Sequence, residues 1–223
     1  MIKKISSRTL LIISLALHVV LTLPLVAFVT LDGTIQLQIY MHANSHFGKH
    51  DIAFIGDSIT AGGFVWASKI GVWNLNVANY AKGGFTTYQV ASLAKKVAQE
   101  RFKFCFVTSG RNDEFVNSDG VSKSYNDYIA NLTSLKNANV QPIVTLMLYC
   151  ENEGLSKYVD EFNNRILAYC ILNDITIIDL NKLLCCESGL KKEYSRGGVH
   201  LNNDAYSIWG REINRVLHEK GYL

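Results

Sequence analysis

Along residues 51–223, short apolar runs alternate with longer amphipathic ones, and that alternation leaves few architectures open. The runs 51–56, 75–79, 103–108, 141–148 and 174–179 are rich in Val, Ile and Phe. They mostly lack polar alternation, the pattern of strands covered on both faces. Residues 64–71, 86–100, 122–138, 156–172 and 203–219 follow helical spacing instead. In 156–172, Val159, Phe162, Ile166, Tyr169 and Cys170 share one stripe, which reads as core packing. The pattern predicts an α/β three-layer sandwich around a five-stranded parallel sheet. With 48% apolar and 18% charged residues and only 2 prolines, neither disorder nor low complexity competes with it. No repeat or internal boundary interrupts 51–223, so it reads as one domain, with Trp66, Trp73 and Trp209 as core or rim packing.

Upstream the composition changes. Residues 9–31 contain no Lys, Arg, Asp or Glu. As a helix this run would extend about 35 Å, enough for a hydrocarbon core of about 30 Å. It exceeds the apolar stretch of about 7–15 residues typical of a cleaved signal peptide, which favours an uncleaved anchor. Lys3, Lys4 and Arg8 precede it, so residues 1–31 read as a cytoplasmic basic flank and transmembrane helix, with the rest exported. Residues 32–50 read as a polar connector. Cleavage of 1–31 would instead give a secreted protein. Those three cations account for the formal charge of +3, leaving 19 basic against 19 acidic residues beyond residue 31. The body is therefore neutral, which argues against a nucleic-acid partner.

In parallel sheets the ligand site lies beyond the carboxyl ends of the strands. Gly56-Asp57-Ser58 follows the first predicted strand, Lys82-Gly83-Gly84-Phe85 the second, and Gly110-Arg111-Asn112-Asp113 the third. Gly197-Gly198-Val199-His200 comes well past the fifth. A serine, a glycine amide, an asparagine amide and a histidine on one rim are the parts of an acyl-transfer site. Taken singly, each has a plainer reading: Ser58 or Asp57 as a helix cap, Asn112-Asp113 as a turn, His200 as a loop residue. It is the four strand-end positions together that carry the inference.

At these residues the sequence resembles the SGNH hydrolases, also called GDSL-type esterases and lipases. FIGDSIT resembles that family's first block, GGFT at 83–86 the second, GRND at 110–113 the third and VHLNNDAY at 199–206 the last. The resemblance spans residues 51–210 and implies the family's flavodoxin-like fold. It also implies Ser58 as nucleophile, His200 as base, and the Ser58 and Gly84 amides with the Asn112 side chain as the oxyanion hole. It implies no metal or organic cofactor. Arg111, inside the third block, is a candidate contact to a polar or anionic substrate group.

One position departs from the pattern. The last block usually reads Asp-x-x-His, and Gly197 stands where the Asp would. The imidazole's orienting partner must then be a backbone carbonyl near 195–198, or a carboxylate such as Glu187, Glu193 or Asp204; otherwise the site is slow or silent. Asp179, at the end of the fifth run, reads as structural. Five cysteines are present, at 105, 150, 170, 185 and 186. An odd number leaves at least one thiol unpaired in any disulfide scheme, and a bridge between the loops of Cys150 and Cys185/Cys186 stays open. The sequon at Asn131-Leu132-Thr133 falls within a helical pattern and carries no weight.

The sequence thus predicts a membrane-anchored serine esterase acting on a small acyl ester, either an acetylated envelope polysaccharide or a lysophospholipid. Two rivals use the same residues: an O-acyltransferase, and a silent glycan- or lipid-binding module.

Overall fold

The first strand, β1 (Ile52–Gly56), is buried along its whole length and organises the sheet. It pairs in parallel with β2 (Val77–Asn79) on one side and β3 (Phe104–Thr108) on the other. Beyond β3 lie β4 (Gln141–Thr145) and β5 (Thr176–Ile178), also parallel. The order is β2-β1-β3-β4-β5, so the chain reverses its direction of winding at β1/β3. The computed structural model describes residues 51–72, 76–116, 120–151 and 156–223. The predicted membrane segment 9–31, the connector 32–50 and Trp73 lie outside them; among the described residues, no helix is long and apolar enough to cross a membrane.

Side-chain alternation explains why the strands carry so few polar residues. Ala53 and Ile55 of β1 and Cys105 and Val107 of β3 face one core, while Ile52, Phe54, Phe104 and Phe106 face the other. Successive strand residues point to opposite faces, so a sheet covered on both sides needs apolar residues at every position. Helices α3 (Thr87–Glu100), α5 (Val121–Asn137) and α6 (Lys157–Leu172) close the first core through Val90, Leu93, Leu132, Leu135, Phe162 and Ile166. Helices α2 (Trp66–Ile70) and α8 (Asn203–Glu219) close the second.

The second core is built around Trp66. Its ring stacks on Phe54 at 4.6 Å and meets Trp209 edge-on at 4.8 Å. Its indole N–H donates to the Thr60 carbonyl at 3.0 Å, so this large apolar group is buried without stranding its donor.

The strand and helix expectations hold with shifted ends. The fourth strand stops at Thr145 because its partner β5 stops at Ile178; only the Leu146 N–H, on the Ile178 carbonyl at 3.0 Å, continues the ladder. Three features lie beyond what the pattern showed. Residues Arg111–Val116 form a short helix, α4. After the four-residue α7 (Asn181–Leu184), β6 (Cys185–Cys186) and β7 (Gly189–Leu190) form one hairpin, and β8 (Ser195–Arg196) and β9 (His200–Leu201) form another. Ladders of two residues are too short to leave a periodic signature. All five cysteines are free thiols. The bridge left open between Cys150 and Cys185/Cys186 does not form, because Leu190 pairs with Cys185 and donates its N–H to the Cys150 carbonyl, so β7 runs between the two loops.

Replacing Trp66 by Ala removes a stacked, hydrogen-bonded side chain that is 1% exposed. The expected cost is about 3–5 kcal/mol, read from urea unfolding of the two proteins.

Candidate active site

The nucleophile candidate sits where β1 turns into a four-residue helix, α1 (Ser58–Ala61). The turn demands glycine at 56: a Cβ there would lie 2.0 Å from the Thr108 carbonyl oxygen of β3. Asp57 then caps α1, its Oδ1 accepting the Ile59 N–H at 2.9 Å. At the other end of α1, the Tyr206 hydroxyl donates to the Ile59 carbonyl at 2.8 Å. With Trp66 on the Thr60 carbonyl, this satisfies acceptors that a helix terminus leaves open. Ser58 is therefore held by groups from three elements.

His200 arrives from the other end of the sequence on β9. Its Nε2 lies 3.1 Å from Ser58 Oγ, across 142 residues of chain. Gly83 brings the second block alongside, since a Cβ there would be 3.8 Å from Ser58 Cβ. Gly84 follows with φ of +77°, a conformation glycine adopts without strain. Asn112 of α4 donates its side-chain amide to the Phe85 carbonyl at 2.9 Å, which fastens the third block to the second. Ser58, Gly84, Asn112 and His200 thus share one rim, at the switch point between β1 and β3.

Arg111 is placed differently. It is 5% exposed, pairs with Glu114 and lies over the Phe115 ring, so it anchors the third block below the rim. Glu114 in turn accepts from the Ser156 hydroxyl that starts α6. Asp179 is likewise structural, accepting the Asn181 N–H at 3.1 Å and pairing with Lys182. Asn131 of the sequon is 2% exposed and donates to the Thr87 carbonyl, tying α5 to α3.

Sequence reasoning passed over Asp113. It is 1% exposed, and its two oxygens accept the Thr87 N–H at 2.8 Å and the Thr87 hydroxyl at 2.6 Å. A carboxylate on the first turn of α3 is favourably placed, and here it also locks the second block to the third. Only a contact across 26 residues reveals that role. The imidazole's other side is bare: among the described residues, His200 hydrogen-bonds only to Ser58, through Nε2. Glu187, Glu193 and Asp204 are all exposed and make no hydrogen bond to it.

Beneath the rim, Asp57, Ser109, Arg111, Met147, Cys150 and Val199 line a cavity of about 10 Å³, room for about one water. Among the described residues, the Ser109 hydroxyl buried there has no hydrogen-bond partner. Burial of the Asp57 carboxyl raises its pKa from 3.8 to about 7, against the opposing Ile59 N–H bond, and the nearby Asp113 charge adds to the rise. Among the described residues no cluster of three or more His, Cys, Asp or Glu could hold a metal ion.

A parallel sheet with a serine–histidine contact and amide donors at its switch point has the parts of a serine-hydrolase site. The chain matches the GDSL-like lipase/acylhydrolase family over residues 54–208 and belongs to that family, the SGNH hydrolases. Its fold is similar to that of a GDSL-like lipase from Bacteroides thetaiotaomicron, with 18% identity over 82% of this chain and 98% of the other, at a TM-score of 0.69. An acetyl xylan esterase shares 16% identity over 74% and 98% of the two chains, at a TM-score of 0.64. A psychrotrophic esterase from a Pseudoalteromonas species shares 14% over 76% and 97%, at 0.60. No curated protein matches by sequence.

The raised Asp57 carboxyl gives a signed prediction. Between pH 3.8 and about 7 the folded chain holds a proton the unfolded chain has lost, so stability falls as pH rises through that window. Asp57→Asn keeps an N-cap acceptor and removes the titration, so its unfolding free energy should depend less steeply on pH there. Urea midpoints of both proteins at pH 5 and pH 7.5 measure the difference.

Proposed function

We propose that this SGNH-family hydrolase is a membrane-anchored serine esterase that cleaves a small acyl ester outside the cytoplasmic membrane. The observation that carries the chemistry is the 3.1 Å contact between Ser58 Oγ and His200 Nε2 at the β1/β3 switch point. Residues 9–31, uncharged throughout, support the anchor. Tethering in an envelope favours an acetylated polysaccharide or a lysophospholipid as the ester.

In this reading Ser58 Oγ attacks the ester carbonyl while His200 Nε2 takes its proton, then returns it to the leaving alcohol. Water, activated by the same nitrogen, releases the acyl group from Ser58. The carbonyl oxygen, negative in the tetrahedral intermediate, faces the Ser58 and Gly84 amides and the Asn112 side chain. Asn112 is pre-set for this by its bond to the Phe85 carbonyl, which fixes the amide plane and leaves its second N–H for the oxyanion. Arg111 contributes through the loop it anchors.

A second reading, a silent binding module, is favoured by one observation: Gly197 in place of the family's acid, with no partner on the far side of His200 among the described residues. Labelling the full-length chain in detergent with a fluorophosphonate separates the two. An esterase labels at Ser58, and Ser58→Ala abolishes it; a binding module does not label in the folded state. For the esterase, Asn112→Ala should lower kcat on p-nitrophenyl acetate by about 10²–10³-fold, the usual cost of one oxyanion donor.

A further inference from the structure

His200 lacks the acid that usually holds its tautomer, and the three carboxylates weighed from sequence stay in solvent. A fourth carboxylate has a different environment. Glu151 lies six residues past β4, is half-buried, and donates its backbone N–H to the Gly198 carbonyl at 2.8 Å. It also bridges to Gly189 of β7, so the segment leaving β4 is stitched to both hairpins. Its neighbour Cys150 and the residue before His200, Val199, line the same small cavity. The Glu151–Gly198 bond therefore sets the end of the β4 segment beside the residue two before His200.

We propose that Glu151 is the positioning residue for His200, filling from the end of β4 the role the family's acid fills at 197. The inference rests on the esterase reading. The Glu151 carboxylate accepts the Nδ1–H of the imidazole, which leaves Nε2 unprotonated toward Ser58. When Nε2 takes the Ser58 proton, the carboxylate stabilises the imidazolium; no proton passes to Glu151.

The test compares full-length wild type, Glu151→Gln and the double variant Glu151→Gln/Gly197→Asp on p-nitrophenyl acetate. Position 197 has room for the new acid: a Cβ there meets nothing within 4 Å, and its φ of +71° is one that Asp tolerates better than most residues. Expected is a fall in kcat of at least about tenfold in Glu151→Gln with KM little changed. Partial recovery should follow with Gly197→Asp but not with Gly197→Asn. The proposal is overturned if Glu151→Gln keeps kcat within about twofold of wild type. A loss of activity that tracks loss of thermal stability, and that Gly197→Asp leaves unrepaired, overturns it equally. Failure of the underlying esterase reading shows up separately, as wild type that takes no fluorophosphonate at Ser58.

Discussion

The approach of β1 to β3 at their carboxyl ends sets the rest of the site. Gly56 passes so close to the Thr108 carbonyl that no side chain fits between them. That contact brings the turn carrying Ser58 and the loop carrying Asn112 side by side, at the one place where the winding of the sheet reverses. Everything near Ser58 then serves to hold a tight turn still. Asp57 ties its start, Trp66 and Tyr206 tie its end, and Thr60 reaches back to Thr108.

A second layer of polar contacts joins the loops to one another. Asp113 holds the amide and hydroxyl of Thr87, Asn131 holds its carbonyl, and Asn112 holds the Phe85 carbonyl. Buried polar groups this well matched rigidify a site, because each lost partner would strand a desolvated group. Among the described residues the Ser109 hydroxyl is an exception, buried against a cavity with room for about one water.

The five strands were legible because burial on both faces removes polar residues from consecutive positions, and the rim blocks were legible because each follows a strand. Their convergence followed from the parallel topology alone. What the sequence hid was everything that depends on partners distant in the chain. Asp113 looks like an ordinary turn residue until Thr87 is seen beside it. The hairpins that deliver His200 have ladders of two residues, shorter than any periodic pattern. Glu151 sits in a stretch without local signature, and only the bond from its N–H to the Gly198 carbonyl marks it. Arg111, which looked like a substrate contact, is enclosed by Glu114 and Phe115 because α4 turns it inward.

The two halves of the site are built to different tolerances. The nucleophile is set into the sheet, where a change of one atom at Gly56 would push β1 off β3. The histidine hangs on a short surface ladder whose turn, Gly197-Gly198, has open space around both residues. The two settings therefore tolerate change unequally: a Cβ at 197 or 198 would meet no neighbour, while none can be added at 56. The histidine's companion can thus be exchanged from the periphery with the serine's setting untouched.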